Sequence, residues 1–172
     1  MPELRVLRED EAMTLDVADY EQIRQLMARS ALALDFGRAD AFADCFTPDG
    51  TLESIGHDHV AWTGRNELMT LVTDLFAGTQ GNIRHWNHSH VFESESSDEV
   101  HVTSFMAILR VGEVPQAGVT YTGMLYDVLR KINGTWLIHR RVSRADPQPE
   151  HDTPPTDRLI AARDKIAAQL AS

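Results

Sequence analysis

Three of the chain's eight histidines fall in one short run, Arg84-His85-Trp86-Asn87-His88-Ser89-His90, and nowhere else are groups that titrate near neutral pH so concentrated. Imidazole can bind a metal or move a proton, because it changes charge near neutrality and its two nitrogens can donate and accept at once. Strand alternation decides between these uses. It would put His85, Asn87, Ser89 and Val91 on one face and Trp86, His88, His90 and Phe92 on the other. The three histidines then share no face, whereas a metal site needs at least three convergent ligands. No metal and no cofactor are expected. His57, His59, His101 and His151 read as surface or internally paired histidines.

A histidine that works as a base at neutral pH is helped by a carboxylate that fixes its tautomer and offsets the imidazolium charge. Asp35 is the candidate partner for His85. It sits just past an apolar helical stripe and before Gly37, and a negative charge there opposes the helix macrodipole, so helix physics gives no local reason for it. Asp127, next to Tyr126, is a second candidate acid facing a ligand; the alternative is an ion pair with Arg140 or Arg141 on a neighbouring strand. Arg144 could polarise a ligand oxygen or stand exposed at a strand end. Trp62, Trp86, Phe105 and Tyr121 could line an apolar pocket, with Trp136 packed in the core. His88 and Ser89 are further candidates for its wall.

These residues need elements to hold them. Apolar residues Tyr20, Ile23, Met27, Ala31 and Leu34 recur at three- and four-residue steps, so 17–34 is expected to be an amphipathic helix ending at Gly37. A short helix is expected over 39–46, closed by the turn Thr47-Pro48-Asp49-Gly50, then a short strand over 51–55. Leu68, Leu71, Val72 and Leu75 mark a third helix over 65–76. From 82 onward the pattern becomes extended, with strands expected over 82–95, 99–112, 119–132 and 135–145, the last two joined by the hairpin turn Asn133-Gly134. Helices first and an antiparallel meander second define an α+β fold. A curved antiparallel sheet with helices over one face would enclose a cone-shaped cavity.

With 172 residues and 42% hydrophobic content, one globular domain over 1–146 is expected, followed by a strap and short helix over 147–172 that packs on the same domain or a neighbouring subunit. A net charge of −10 disfavours nucleic acid and anionic membranes as partners. The single cysteine, Cys45, has no second thiol to pair with. No stretch has the roughly 20 apolar residues of a membrane span, and the first residues do not look like a signal peptide, so a cytoplasmic location is expected.

The string Gly123-Met-Leu-Tyr126-Asp127-Val-Leu-Arg130-Lys-Ile-Asn-Gly134-Thr-Trp136-Leu-Ile138-His-Arg140-Arg141-Val142 resembles the closing strands of SnoaL-like proteins of the nuclear-transport-factor-2-like superfamily. Leu34-Asp35-Phe36-Gly37-Arg38-Ala39-Asp40 and Phe46-Thr47-Pro48-Asp49-Gly50 resemble their opening helices. The likeness runs over about 16–146. Members nearest in pattern, the branch of scytalone dehydratase, bile acid 7α-dehydratase and lindane dehydrochlorinase, use an Asp–His dyad whose positions fall on Asp35 and His85. Ser30 stands where the bile acid enzyme has a tyrosine, and 105–108 is apolar where some members carry a polar group on the next strand.

The resemblance implies a cofactor-independent lyase or isomerase acting next to a carbonyl of a small hydrophobic, cyclic substrate, in a homodimer or homotrimer. Its fold also hosts non-catalytic ligand-binding modules and the small subunits of ring-hydroxylating oxygenases.

Overall fold

The computed structural model describes residues 15–56, 59–94, 96–112 and 118–146. The strap and helix expected over 147–172, with His57 and His151, lie outside the described residues.

The chain begins with α1 (Val17–Asp35), capped by Asp16, whose carboxylate accepts from the Asp19 amide at 2.7 Å. Its apolar stripe divides in two. Ile23, Leu26 and Ala33 are buried in the core, Tyr20, Ala31 and Leu34, one step around the helix, border cavities, and Met27 is buried and borders the larger of them. Gly37 follows with φ +65, and a Cβ there would lie 2.7 Å from the Phe76 ring, so conformation and space both require glycine.

Next come α2 (Ala39–Ala43), β1 (Phe46–Ile55), β2 (His59–Thr63) and α3 (Gly64–Thr79). The residues read as a turn, Thr47 to Gly50, are instead a register irregularity inside β1, and α2 is correspondingly shorter than expected. On α3, Leu68 and Val72 are fully buried, while Leu71 and Leu75 face a cavity. The long strands follow as β3 (Ile83–Ser94), β4 (Glu99–Arg110), β5 (Gly118–Ile132) and β6 (Thr135–Ala145).

These six strands form one curved, unclosed sheet in the order β2-β1-β6-β5-β4-β3. It is α+β as expected, but not wholly antiparallel: β1 runs parallel to β6, pairing Leu52 with Arg141. β2, unanticipated in the sequence, pairs with β1 at one edge. β3 forms the other edge, with α1 packed beside it.

The core lies between the helices and the inner sheet face, around Phe42, Leu129, Trp136 and Ile138. The Trp136 indole nitrogen donates to Asp19 Oδ1 at 2.9 Å, and Lys131 Nζ donates to Asp19 Oδ2 at 3.0 Å, which ties α1 to the sheet. These bonds, Lys131's first, hold the Asp19 carboxyl below its ordinary value.

One irregularity matters for everything on β3. His88 pairs with Phe105 and Val91 with Thr103, so Ser89 and His90 together face Ser104, with Ser89 at φ 57. This is a β-bulge, and it resets the alternation of side chains. His85 and Asn87 point inward before it, opposite Ile108 and Met106. Phe92, opposite the buried Val102, points inward after it and meets the Tyr20 ring at 4.7 Å. Unbroken alternation had put His90 and Phe92 on the face opposite His85. The bulge brings them to the same side.

Candidate active site

Asp35 ends α1 and is buried, and His85 stands early on β3, nearly enclosed. Asp35 Oδ2 accepts from the His85 backbone N–H at 2.9 Å, and Oδ1 meets His85 Nδ1 at 2.5 Å. The first bond fixes strand against helix; the second fixes the ring. A carboxylate can only accept, so Nδ1 carries the proton and the lone pair of Nε2 is left for another partner. The unfavourable placement of an anion at a helix C-terminus is thus compensated by two donors from β3.

Two cavities meet His85. The larger, of about 700 Å³, lies between α1 and β3 and is bordered by Tyr20, Arg24, Met27, His85, Asn87 and His90 among others. The smaller, of about 250 Å³, lies deeper between sheet and helices, against Leu34, Trp62, Leu71, Met106, Tyr121 and Ser143 among others. Ala31, His85 and Asn87 border both. Inside the smaller cavity, His85 pairs with Ile108 and Ile108 with Tyr121, so His85 and Tyr121 stand level on strands two apart. At roughly 4.8 Å per strand, their backbones are about 10 Å apart. Burial pushes the Tyr121 hydroxyl up from its ordinary value, so it keeps its proton and can donate.

The other candidates divide. Trp62 and Tyr121 border the smaller cavity. Trp86, His88 and Ser89 border the larger at its exposed side. Phe105 does neither: it is 52% exposed on the outer sheet face, with its ring 5.9 Å from that of His88. Arg144 also faces out, exposed and opposite Met124.

Asp127 and Ser30 are engaged within the protein and border neither cavity. Arg141 grips Asp127 in a fork, Nε to Oδ1 at 2.7 Å and Nη2 to Oδ2 at 3.0 Å, and its Nη1 donates to Ser30 Oγ at 3.1 Å. Ser30 in turn donates to the Met27 carbonyl. The ion-pair alternative for Asp127 is the one observed, and the partner is Arg141. Arg140, on the other face of β6, binds Glu53 at 2.7 Å.

Sequence reasoning missed Arg141 and Ser143 on the smaller cavity and Arg24 and His90 on the larger. Alternation along β6 carried the signal for the first two. His90 carried none, because the bulge that turns it inward is a backbone event. Among the described residues no group of three His, Cys, Asp or Glu is placed to share a metal ion, and no helix is long and apolar enough to cross a membrane.

This architecture defines the class. The chain belongs to the SnoaL-like domain family, which matches residues 16–142, within the nuclear-transport-factor-2-like superfamily. No curated protein sequence matches it. Among solved structures, a protein of unknown function with a cystatin-like fold from Nostoc punctiforme is similar at TM-score 0.69 and 23% identity, over 80% of this chain and 98% of that one. A nuclear-transport-factor-2-like protein from Novosphingobium aromaticivorans is similar at TM-score 0.67 and 19% identity, over 83% and 88%. A provisionally assigned scytalone dehydratase from the same organism is similar at TM-score 0.63 and 20% identity, over 80% and 90%. At these identities the likeness is one of fold.

Proposed function

We propose that this protein is a cofactor-independent lyase or isomerase that removes a proton next to a carbonyl of a small, hydrophobic, cyclic compound. The observation that carries the proposal is the double grip of Asp35 on His85, which in the neutral ring turns the Nε2 lone pair away from Asp35, on a residue that borders two cavities.

In this reading His85 Nε2 takes the α-proton, and the C–H electron pair moves into the enolate. Asp35 offsets the imidazolium charge as it forms and holds the ring in place. The Tyr121 hydroxyl donates to the developing enolate oxygen from two strands away. Where a hydroxyl sits on the β-carbon, the enolate collapses, the C–O bond breaks, and His85 returns its proton to the leaving group as water. Where there is none, return of the proton to another carbon gives isomerisation. The apolar walls around Trp62, Leu71 and Met106 suit a hydrophobic ring and keep water from competing for the base.

The experiment needs no knowledge of the natural substrate. 2-Tetralone is an enolisable cyclic ketone, and exchange of its α-protons in deuterated water is read by proton NMR. The protein is expected to accelerate exchange, and Asp35→Asn and His85→Gln to abolish the acceleration. A panel of cyclic β-hydroxy ketones, watched for a new conjugated chromophore, then tests elimination. Binding of these ketones with neither exchange nor elimination would instead identify a ligand-holding module.

A further inference from the structure

The inner wall of β3 and β4 carries polar atoms that nothing among the described residues satisfies. Asn87 Oδ1, His90 Nε2 and Ser104 Oγ are buried and have no hydrogen-bond partner. They belong to one neighbourhood. His90 is in the bulge, Asn87 lies two residues before Ser89, and Ser104 is the residue of β4 that faces the bulge. Asn87 and His90 border the same 700 Å³ cavity as His85. A buried polar atom left without a partner forfeits the hydrogen bond it made to water. Apolar side chains would pack this wall without that penalty, so the arrangement suits a partner that arrives with the ligand.

The chemistry of the atoms narrows that partner. A carboxamide oxygen only accepts, so Asn87 Oδ1 requires a donor. His90 Nε2 can donate or accept according to tautomer. A hydroxyl carries both roles, a donor for Asn87 and an acceptor for His90. A ketone oxygen can only accept, and a carboxylate would set its charge against the negative end of the Asn87 amide. We propose that Asn87 and His90 form a hydroxyl-recognition subsite, so that the ligand worked on at His85 carries an alcohol or phenol group toward the bulge.

The spacing along β3 sets the scale. Asn87 lies two residues from His85, about 7 Å along the strand, and His90 lies level with Ser104, four β4 positions from Ile108, about 13 Å away. The ligand must therefore be long enough to reach from the base to a hydroxyl at its far end. The surroundings disfavour the charged form of His90. Burial moves its pKa below the ordinary 6.5, assisted by Arg24, His88 and Arg141 and opposed by Asp127, which Arg141 already holds in its fork. The proposal rests on the reading of His85 as the group that meets the ligand, and extends it to which ligands are admitted.

Calorimetric binding of 2-tetralone and 6-hydroxy-2-tetralone tests it. The native protein is expected to bind the hydroxylated ketone about tenfold more tightly or better, because a site built for a hydroxyl rejects the analogue that lacks one. Asn87→Leu and His90→Phe are expected to bring the ratio close to one. Equal affinities in the native protein, a ratio unchanged in both variants, or no binding of either ketone would overturn the subsite. The native ratio is informative even if a variant does not fold, and Asn87→Ser is a milder second substitution. The exchange assay separates the two readings. A hydroxyl preference without exchange keeps the subsite and removes the catalyst, whereas exchange without preference does the reverse.

Discussion

Asp35 and His85, 50 positions apart in sequence, are joined twice, through the backbone amide of His85 and through its ring nitrogen. Orientation of the ring is therefore set by the same contact that docks α1 against β3. A ring held this way needs no reorganisation when its charge changes, which is the property the proposed proton abstraction requires.

Replacing Asp35 with Asn tests the tautomer argument. The amide can present N–H to Nδ1 and so drive the imidazole proton onto Nε2, where the lone pair is needed. Exchange of ketone α-protons should fall by about 100- to 10,000-fold, the range of a lost general base, and to a similar level in His85→Gln. Near-normal exchange in either variant, measured by NMR on folded protein, would remove the dyad from the mechanism.

The Arg141–Asp127 pair should behave as a buried ion pair. Asp127→Ala leaves the guanidinium buried without its counter-charge and should cost about 3–5 kcal/mol in urea unfolding. Arg141→Met combined with Asp127→Leu removes both charges and should recover most of that loss. A small effect of Asp127→Ala alone would mean that Ser30 and Met27 suffice to hold the arginine.

His90 should make the fold sensitive to mild acid. Its folded pKa lies below the ordinary 6.5, so as pH falls the unfolded chain takes up the proton first. The stability it contributes is complete above pH 6.5 and declines below it, until the folded ring is protonated as well. Melting temperatures of native and His90→Phe protein at pH 7.5 and 5.5 check this: the native protein should lose more. The charged and titratable groups around it, Asp127, Arg24, His88 and Arg141, are unchanged in the comparison.

Asp19 contributes at lower pH with the same sign. Its folded pKa is depressed below 3.8, so its contribution is present above that value and lost as pH falls through the folded one. Asp19→Ala also strands the buried Trp136 N–H and should cost about 1.5–3 kcal/mol at neutral pH. Asp19→Asn keeps an acceptor for Trp136 and should cost less, with a flatter stability profile in acid. Chemical unfolding from pH 7 to 3 distinguishes the three proteins.

The parts of this fold that follow a period were readable in the sequence. The stripe of α3 and the Asn133-Gly134 hairpin are local patterns, and β3 to β6 appear close to their expected bounds. What escaped depends on contacts distant in sequence. β2 is a short edge strand formed by pairing with β1, and the parallel β1–β6 pair joins segments from opposite ends of the described chain. On α1 the periodicity was right but could not tell a side chain that fills the core from one that borders a void. For the site, resemblance pointed to Asp35 and His85; Arg144 took the exposed one of its two readings, and Phe105 was misplaced because strand parity does not say which face is covered.

The bulge at Ser89 also has a bearing on how such a pocket could diversify. Deleting Ser89 would restore simple alternation by leaving His90 alone opposite Ser104, so that His90 and Phe92 would stay on the cavity wall and Val91 would stay outside it. Asp35 and His85, on the near side, would keep their contact. The pocket can thus vary in strand length at Ser89 while the other side chains of β3 keep their faces, with no substitution at Asp35 or His85.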